Sequence, residues 1–124
     1  MKEIKCITIQ PNGAFTEPLK HTINYSNYMD LYAILECEVF DVITLNFDGV
    51  GLDVYIDDEG KFKQNNHYSI LLLNSNGDIV DIVAGNALIV RHNENGEIES
   101  LTDSDIEKVM SCYDESIAML KGLI

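Results

Sequence analysis

Apolar and polar residues alternate from Glu3 to Gln10, with Ile4, Cys6, Thr8 and Gln10 on one side and Lys5, Ile7 and Ile9 on the other. A period of two with apolar groups on both sides predicts a strand inside a sheet. Pro11-Asn12-Gly13 is a turn, and Glu17 to Asn24 returns as the partner strand with Pro18 near its start, which completes a hairpin. At Tyr28 the period lengthens. Tyr28, Leu31, Tyr32 and Leu35 fall at i, i+3, i+4 and i+7, the buried stripe of a helix capped by Asn27 with Asp30 three residues on, and Glu36-Cys37-Glu38 ends it. Val39 to Asn46 is rich in β-branched residues and reads as a strand. Asp48-Gly49 turns the chain into a paired strand, Val50 to Ile56, which Asp57-Asp58-Glu59-Gly60 closes.

The segment Asn65 to Leu73 fits a helical turn or a strand on periodicity alone, and our reading is a short helix capped by Asn66. Asn74-Ser75-Asn76-Gly77 is another turn. The apolar run Asp81 to Val90 is broken once, at Gly85, and closed by Arg91-His92. It predicts one buried strand with a bulge at Gly85, or the edge of a site whose pocket is lined by the Gly85-Asn86 amides with Arg91 and His92 at the rim. Asn93-Glu94-Asn95-Gly96 leads into a short strand over Glu97 to Glu99. Thr102 then caps a helix from Asp103 to about Leu120, with Asp105 completing the cap and Ile106, Val109, Met110, Tyr113, Ile117 and Leu120 as its buried stripe. With no repeat or linker, residues 1–124 predict a single α+β domain: a mostly antiparallel sheet, two main helices and a short third.

A chain of 124 residues can bury a core without disulfides or metal. Its longest apolar runs are too short to span a bilayer, and Met1 to Cys6 lacks the hydrophobic core of a signal peptide. We therefore expect a cytoplasmic protein without membrane attachment, in which the Asn24-Tyr25-Ser26 sequon is not glycosylated. Cys6, Cys37 and Cys112 form no closely spaced pair, which points to reduced thiols rather than to zinc or disulfides, with Cys6 and Cys112 on buried patterns. The charge changes the picture most. With 21 acidic against 8 basic residues, net −13, direct binding to nucleic acid or an anionic membrane is disfavoured, and basic partners or mimicry of a polyanion are favoured.

The acidic and Asn-rich turns lack the ligand spacing of a calcium loop, and no phosphate-binding glycine loop, nucleophile elbow or zinc-binding His pair is present. His21, His67 and His92 stand singly, and the carboxylate pairs fit turns and helix starts. This predicts no catalytic residue, no cofactor and no bound metal, hence a binding protein rather than an enzyme. One cluster stands out. Of the 8 Lys and Arg and 3 His residues, Lys61, Lys63, His67, Arg91 and His92 fall in two short segments that flank Asn66 and Gly85-Asn86. If both segments meet at one sheet edge, these eight residues form a positive patch suited to a small anion.

The motifs now in view are the turn Asp57-Asp58-Glu59-Gly60-Lys61, the asparagine step Asn66 to Ser69, and the glycine-interrupted strand Asp81 to Val90. Through them the stretch from Tyr28 to Ile106 resembles a family of short phage- and plasmid-encoded proteins known only as a domain of unknown function. That family's pattern is a helix, an extended run opening Val-Gly-Gly, an Asp-Glu-Glu-Gly-Lys turn, an Asn-x-x-Ala step and an Asp-x-Ile-x-Gly-x-Ala-Leu-Val-Val strand. Here Cys37-Glu38 replace the paired glycines and Ser69 the alanine. The resemblance implies a mobile-element origin, a small α+β fold and residence in a host cell; it brings no activity or catalytic residue.

Two functions remain open from the sequence. The first is capture of a small anionic, nucleotide-signal-like ligand in counter-defence, by the patch just described and in a homo-oligomer. The second is occupation of a basic host protein's DNA-binding groove by Glu94, Glu97, Glu99, Asp103, Asp105, Glu107, Asp114 and Glu115, standing in for phosphates.

Overall fold

A computed structural model describes residues 2–10, 18–47, 49–59, 68–73 and 79–123; for 68–73, 79–84 and 115–123 it describes the backbone only. The elements in order are β1 (Lys2–Ile9), β2 (Leu19–Tyr25), α1 (Met29–Leu35), β3 (Phe40–Phe47), β4 (Val50–Asp57), β5 (Tyr68–Leu73), β6 (Ile79–Ala84), β7 (Ala87–His92), β8 (Ile98–Glu99) and α2 (Asp103–Leu123). The main sheet runs β2-β1-β7-β4-β3, every pairing antiparallel. β1 pairs with β7 only as far as Ile89, and beyond it β8 takes over, with His92 opposite Ile98 and Arg91 opposite Glu99. The fold is α+β, as the sequence predicts.

Alternation along the central strands explains why both sides of this sheet are covered. Ile7 and Ile9 of β1, Leu52 and Val54 of β4, and Ala87 and Ile89 of β7 are buried with Leu101, Val109 and Tyr113 on the α2 side. Ile4, Cys6, Leu88 and Val90 point the other way and are buried with Leu31 and Leu35 of α1 and with Ile98. Each fully buried side chain of this size contributes about 1.5–3 kcal/mol relative to exposure.

The α2 cap forms as the sequence predicts, whereas at α1 the N-cap position falls on Tyr28, which makes no side-chain cap hydrogen bond, and Asn27 acts one residue earlier. Thr102 Oγ1 accepts from the Asp105 N–H at 3.1 Å, and Asp105 Oδ2 accepts from the Thr102 N–H at 2.9 Å. At α1, Asn27 Oδ1 accepts from the Met29 N–H at 2.9 Å, Asp30 Oδ2 takes the Ser26 and Asn27 amides, and Glu36, left-handed at φ 53°, ends the helix.

Three further expectations change. Tyr68–Leu73, read as part of a short helix, is strand β5, paired with β6 in a separate two-stranded sheet. Four consecutive apolar residues at its end do not set a period, so the non-local partner decides. The run Asp81 to Val90 is not one bulged strand but β6 and β7, which belong to different sheets. Gly85, buried and at φ 85°, is the corner between them. Finally, Tyr28 lies outside α1 and is 59% exposed, so the buried stripe begins at Leu31. The Pro11-Asn12-Gly13 and Asn74 to Gly77 turns, and the Asn66 cap, lie outside the described residues.

Candidate functional site

The residues proposed from sequence for an anion site do not converge where they are described. Arg91 projects from β7 to the α2 side and forms a two-pronged pair with Asp105, Nε to Oδ2 at 2.9 Å and Nη2 to Oδ1 at 2.8 Å. Asp105 is 1% exposed. The Arg91 hydrogen bonds, with those from Thr102, outweigh desolvation and hold its carboxyl down at about 2; the same contact raises the Arg91 pKa. Arg91 is thus a clamp between β7 and the start of α2. Asn86 lies before the other end of β7, about 17 Å away at the usual strand rise. There its Nδ2 donates to the Leu35 carbonyl at 3.1 Å and to Glu36 Oε2 at 3.2 Å, tying the end of α1 to the Gly85 corner. Lys61, Lys63, Asn66 and His67 lie outside the described residues.

His92, one position beyond Arg91, points to the α1 side. Its Nδ1 is 2.7 Å from Oδ2 of Asp53, whose Oδ1 accepts from Thr44 Oγ1 at 3.0 Å. Asp53 is nearly buried, 10% exposed at its side chain, whereas the His92 side chain is 44% exposed. A carboxylate can only accept, so in this contact the Nδ1 position carries the proton.

Beside this pair is a cleft of about 450 Å³, walled by Tyr25 at the end of β2, Asn27, Tyr55 of β4, Lys2 of β1, and Glu97 and Ile98 of the β7–β8 turn. The turn is set by Asn93, whose Oδ1 accepts from the Asn95 and Glu97 amides at 2.9 and 3.0 Å. Lys2 Nζ donates to the Ile98 carbonyl at 3.2 Å. Desolvation, with Asp30 facing Tyr25 and with Asp53 and Tyr25 facing Tyr55, pushes both phenol pKa values up and keeps the hydroxyls protonated. The walls therefore offer two aromatic rings with their phenol donors, the Ser26 hydroxyl, an amide, the Lys2 ammonium and the Glu97 carboxylate.

Sequence reasoning missed this cleft because its residues come from β1, β2, β4 and a turn. One signal was present: Asp53 and Tyr55 sit at alternate positions of a strand whose other face is apolar.

A second cleft, about 470 Å³, is lined by Tyr32, Cys37 and the carboxylates of Glu36, Glu38, Asp57 and Glu59. Among the described residues no group of three or more His, Cys, Asp or Glu side chains is arranged to hold a metal ion. Cys6 is fully buried and desolvation raises its thiol to about 11, while Cys112 is only half-buried against the core.

The family model for the domain of unknown function DUF3846 matches residues 4–114. The chain belongs to this family. The match extends the Tyr28 to Ile106 resemblance in both directions and takes in the Arg91–Asp105 clamp, the His92–Asp53 pair and every named wall of the first cleft except Lys2. No curated protein and no solved structure matches the chain. No helix among the described residues is long and apolar enough to cross a membrane.

Proposed function

We propose that the protein is a non-enzymatic binding protein that captures a small anionic ligand with an aromatic ring, a nucleotide being the natural instance, in the cleft between Tyr25, Tyr55 and Lys2. The carrying observation is the convergence of these three side chains on one cavity, whose 450 Å³ lies within the range of small-ligand sites. Tyrosine rings stack on a base for about 1–3 kcal/mol each, and an ammonium takes a phosphate oxygen as a point charge. In a mobile-element protein such capture would serve counter-defence by removing a nucleotide signal.

Calorimetric titration with linear and cyclic nucleotides tests the reading. Wild type should bind at least one of them, and Tyr55→Ala should weaken that binding about tenfold or more. Arg91→Ala should leave it unchanged, since that guanidinium is engaged on the other side of the sheet. Absence of binding to wild type, or equal binding by Tyr55→Ala, would reject the cleft.

A second reading, an acidic surface that docks a basic partner, is favoured by the clamp itself. It draws Arg91 onto a buried carboxylate, while Glu94, Glu97, Asp103, Glu107 and Asp114 stay exposed. Asp105 leaves the acidic set because it is buried and paired, Glu99 is half-buried, and the Glu115 side chain lies outside the described residues.

A further inference from the structure

The His92–Asp53 pair ties β7 to β4 on the side of the sheet that carries the cleft. Asp53 is a charged residue in the interior of β4, with Leu52 and Val54 buried on either side of it, and its two partners come from β3 and β7. The pair also adjoins the cleft. Ile98, one wall, is the register partner of His92, and Tyr55, another, is the next residue on Asp53's side of β4. With a neutral imidazole the pair carries the single negative charge of Asp53; with a protonated imidazole it carries none. Coulomb interaction across a few ångströms of partly dry protein makes that difference matter to an anion.

Resting on the cleft reading above, we propose that His92 and Asp53 form a proton-operated charge switch next to the wall residues Ile98 and Tyr55, so that capture of a phosphate-bearing ligand takes up a proton. The other groups on this side set its background. Lys2 from β1 attracts the ligand, Glu97 from the turn repels it, Tyr25 and Tyr55 stay neutral, and Thr44 from β3 holds Asp53 in place. Glu99 and Arg91 lie on the opposite side of the sheet and do not face the pair. Asp30, which accepts from the Ser26 and Asn27 amides, and Glu97 keep their negative charge at the cleft, and protonating His92 cancels that of Asp53 behind Tyr55. The solvent-exposed His92 ring can take up that proton without rearranging the buried carboxylate.

The probe is cyclic AMP, whose phosphodiester keeps one charge between pH 5.5 and 8, unlike a phosphomonoester, which titrates near pH 6. Wild type should bind it about fivefold more tightly at pH 5.5 than at pH 8. His92→Gln should remove that dependence, whereas His21→Gln, which changes an exposed histidine of β2, should keep it. The His92 ring, followed by NMR in the unaltered protein, should titrate at higher pH with saturating cyclic AMP than without it, by linkage. That measurement stands even if His92→Gln fails to fold. Equal affinity at both pH values, or an unmoved His92 titration, overturns the switch and leaves the cleft standing. No binding of cyclic AMP at either pH overturns the switch together with its use of the cleft for nucleotides.

Discussion

Asp105 serves two elements at once, capping α2 through the Thr102 amide and receiving both prongs of Arg91. Its carboxyl is lowered from 3.8 to about 2, so the stabilisation it gives is fully present above about pH 4 and is lost as the pH falls through 2. A shift of this size corresponds to about 2 kcal/mol. Arg91→Ala should therefore lower stability by about 2 kcal/mol at pH 7, more than a surface ion pair would, because it leaves a buried carboxylate without its cation. Urea melts should show this gap closing between pH 4 and pH 2. A gap that persists at pH 2 would mean that Arg91 acts through packing of its stem rather than through charge.

At the scale of elements, the Gly85 corner decides how the second half of the chain is divided. A residue buried at φ 85° has little tolerance for a Cβ, since left-handed backbone costs other residues roughly 1–2 kcal/mol. Gly85→Ala should cost at least that much in a denaturant melt. Because the corner sets where β6 ends and β7 begins, hydrogen exchange should quicken in β6 before the central strand β7. A neutral Gly85→Ala would remove the corner as a structural constraint. The β5–β6 hairpin also shows where local pattern fails: an apolar run suits any buried element, and only the β6 backbone, which supplies its pairing, makes Tyr68–Leu73 a strand. By contrast, α2 carried its own cap, length and stripe, so its start and its buried Val109 and Tyr113 were legible in advance.

For the whole molecule, the net charge of −13 is the property any partner meets first. If the acidic surface displaces DNA from a basic protein, displacement should be strong near 50 mM salt and should fade above about 300 mM, as screening shortens to a few ångströms. Charge reversal at Glu97, Asp103 and Glu107, all exposed, should abolish it, while Asp105→Lys should instead unfold the clamp. Salt-insensitive displacement would exclude this mechanism.

What the sequence determined by itself was whatever depends on neighbours a few residues apart: the strand periods of β1 and β4, the cap of α2, the turns at Gly49 and Gly96, and the family membership carried by local motifs. Tertiary structure alone decided what each side chain was for. Arg91 and His92 are adjacent in sequence, yet pleating sends one to Asp105 and α2 and the other to Asp53 and the α1 side. Asn86 and Arg91 belong to one short segment, yet a strand's length parts them. Lys2, Tyr25, Tyr55 and Glu97 span most of the chain, yet hydrogen-bonded register brings them to one cleft. Spacing along a chain fixes which face a residue takes within its element; which residues share a cavity depends on strand order, and that is set by burying both faces of the sheet at once.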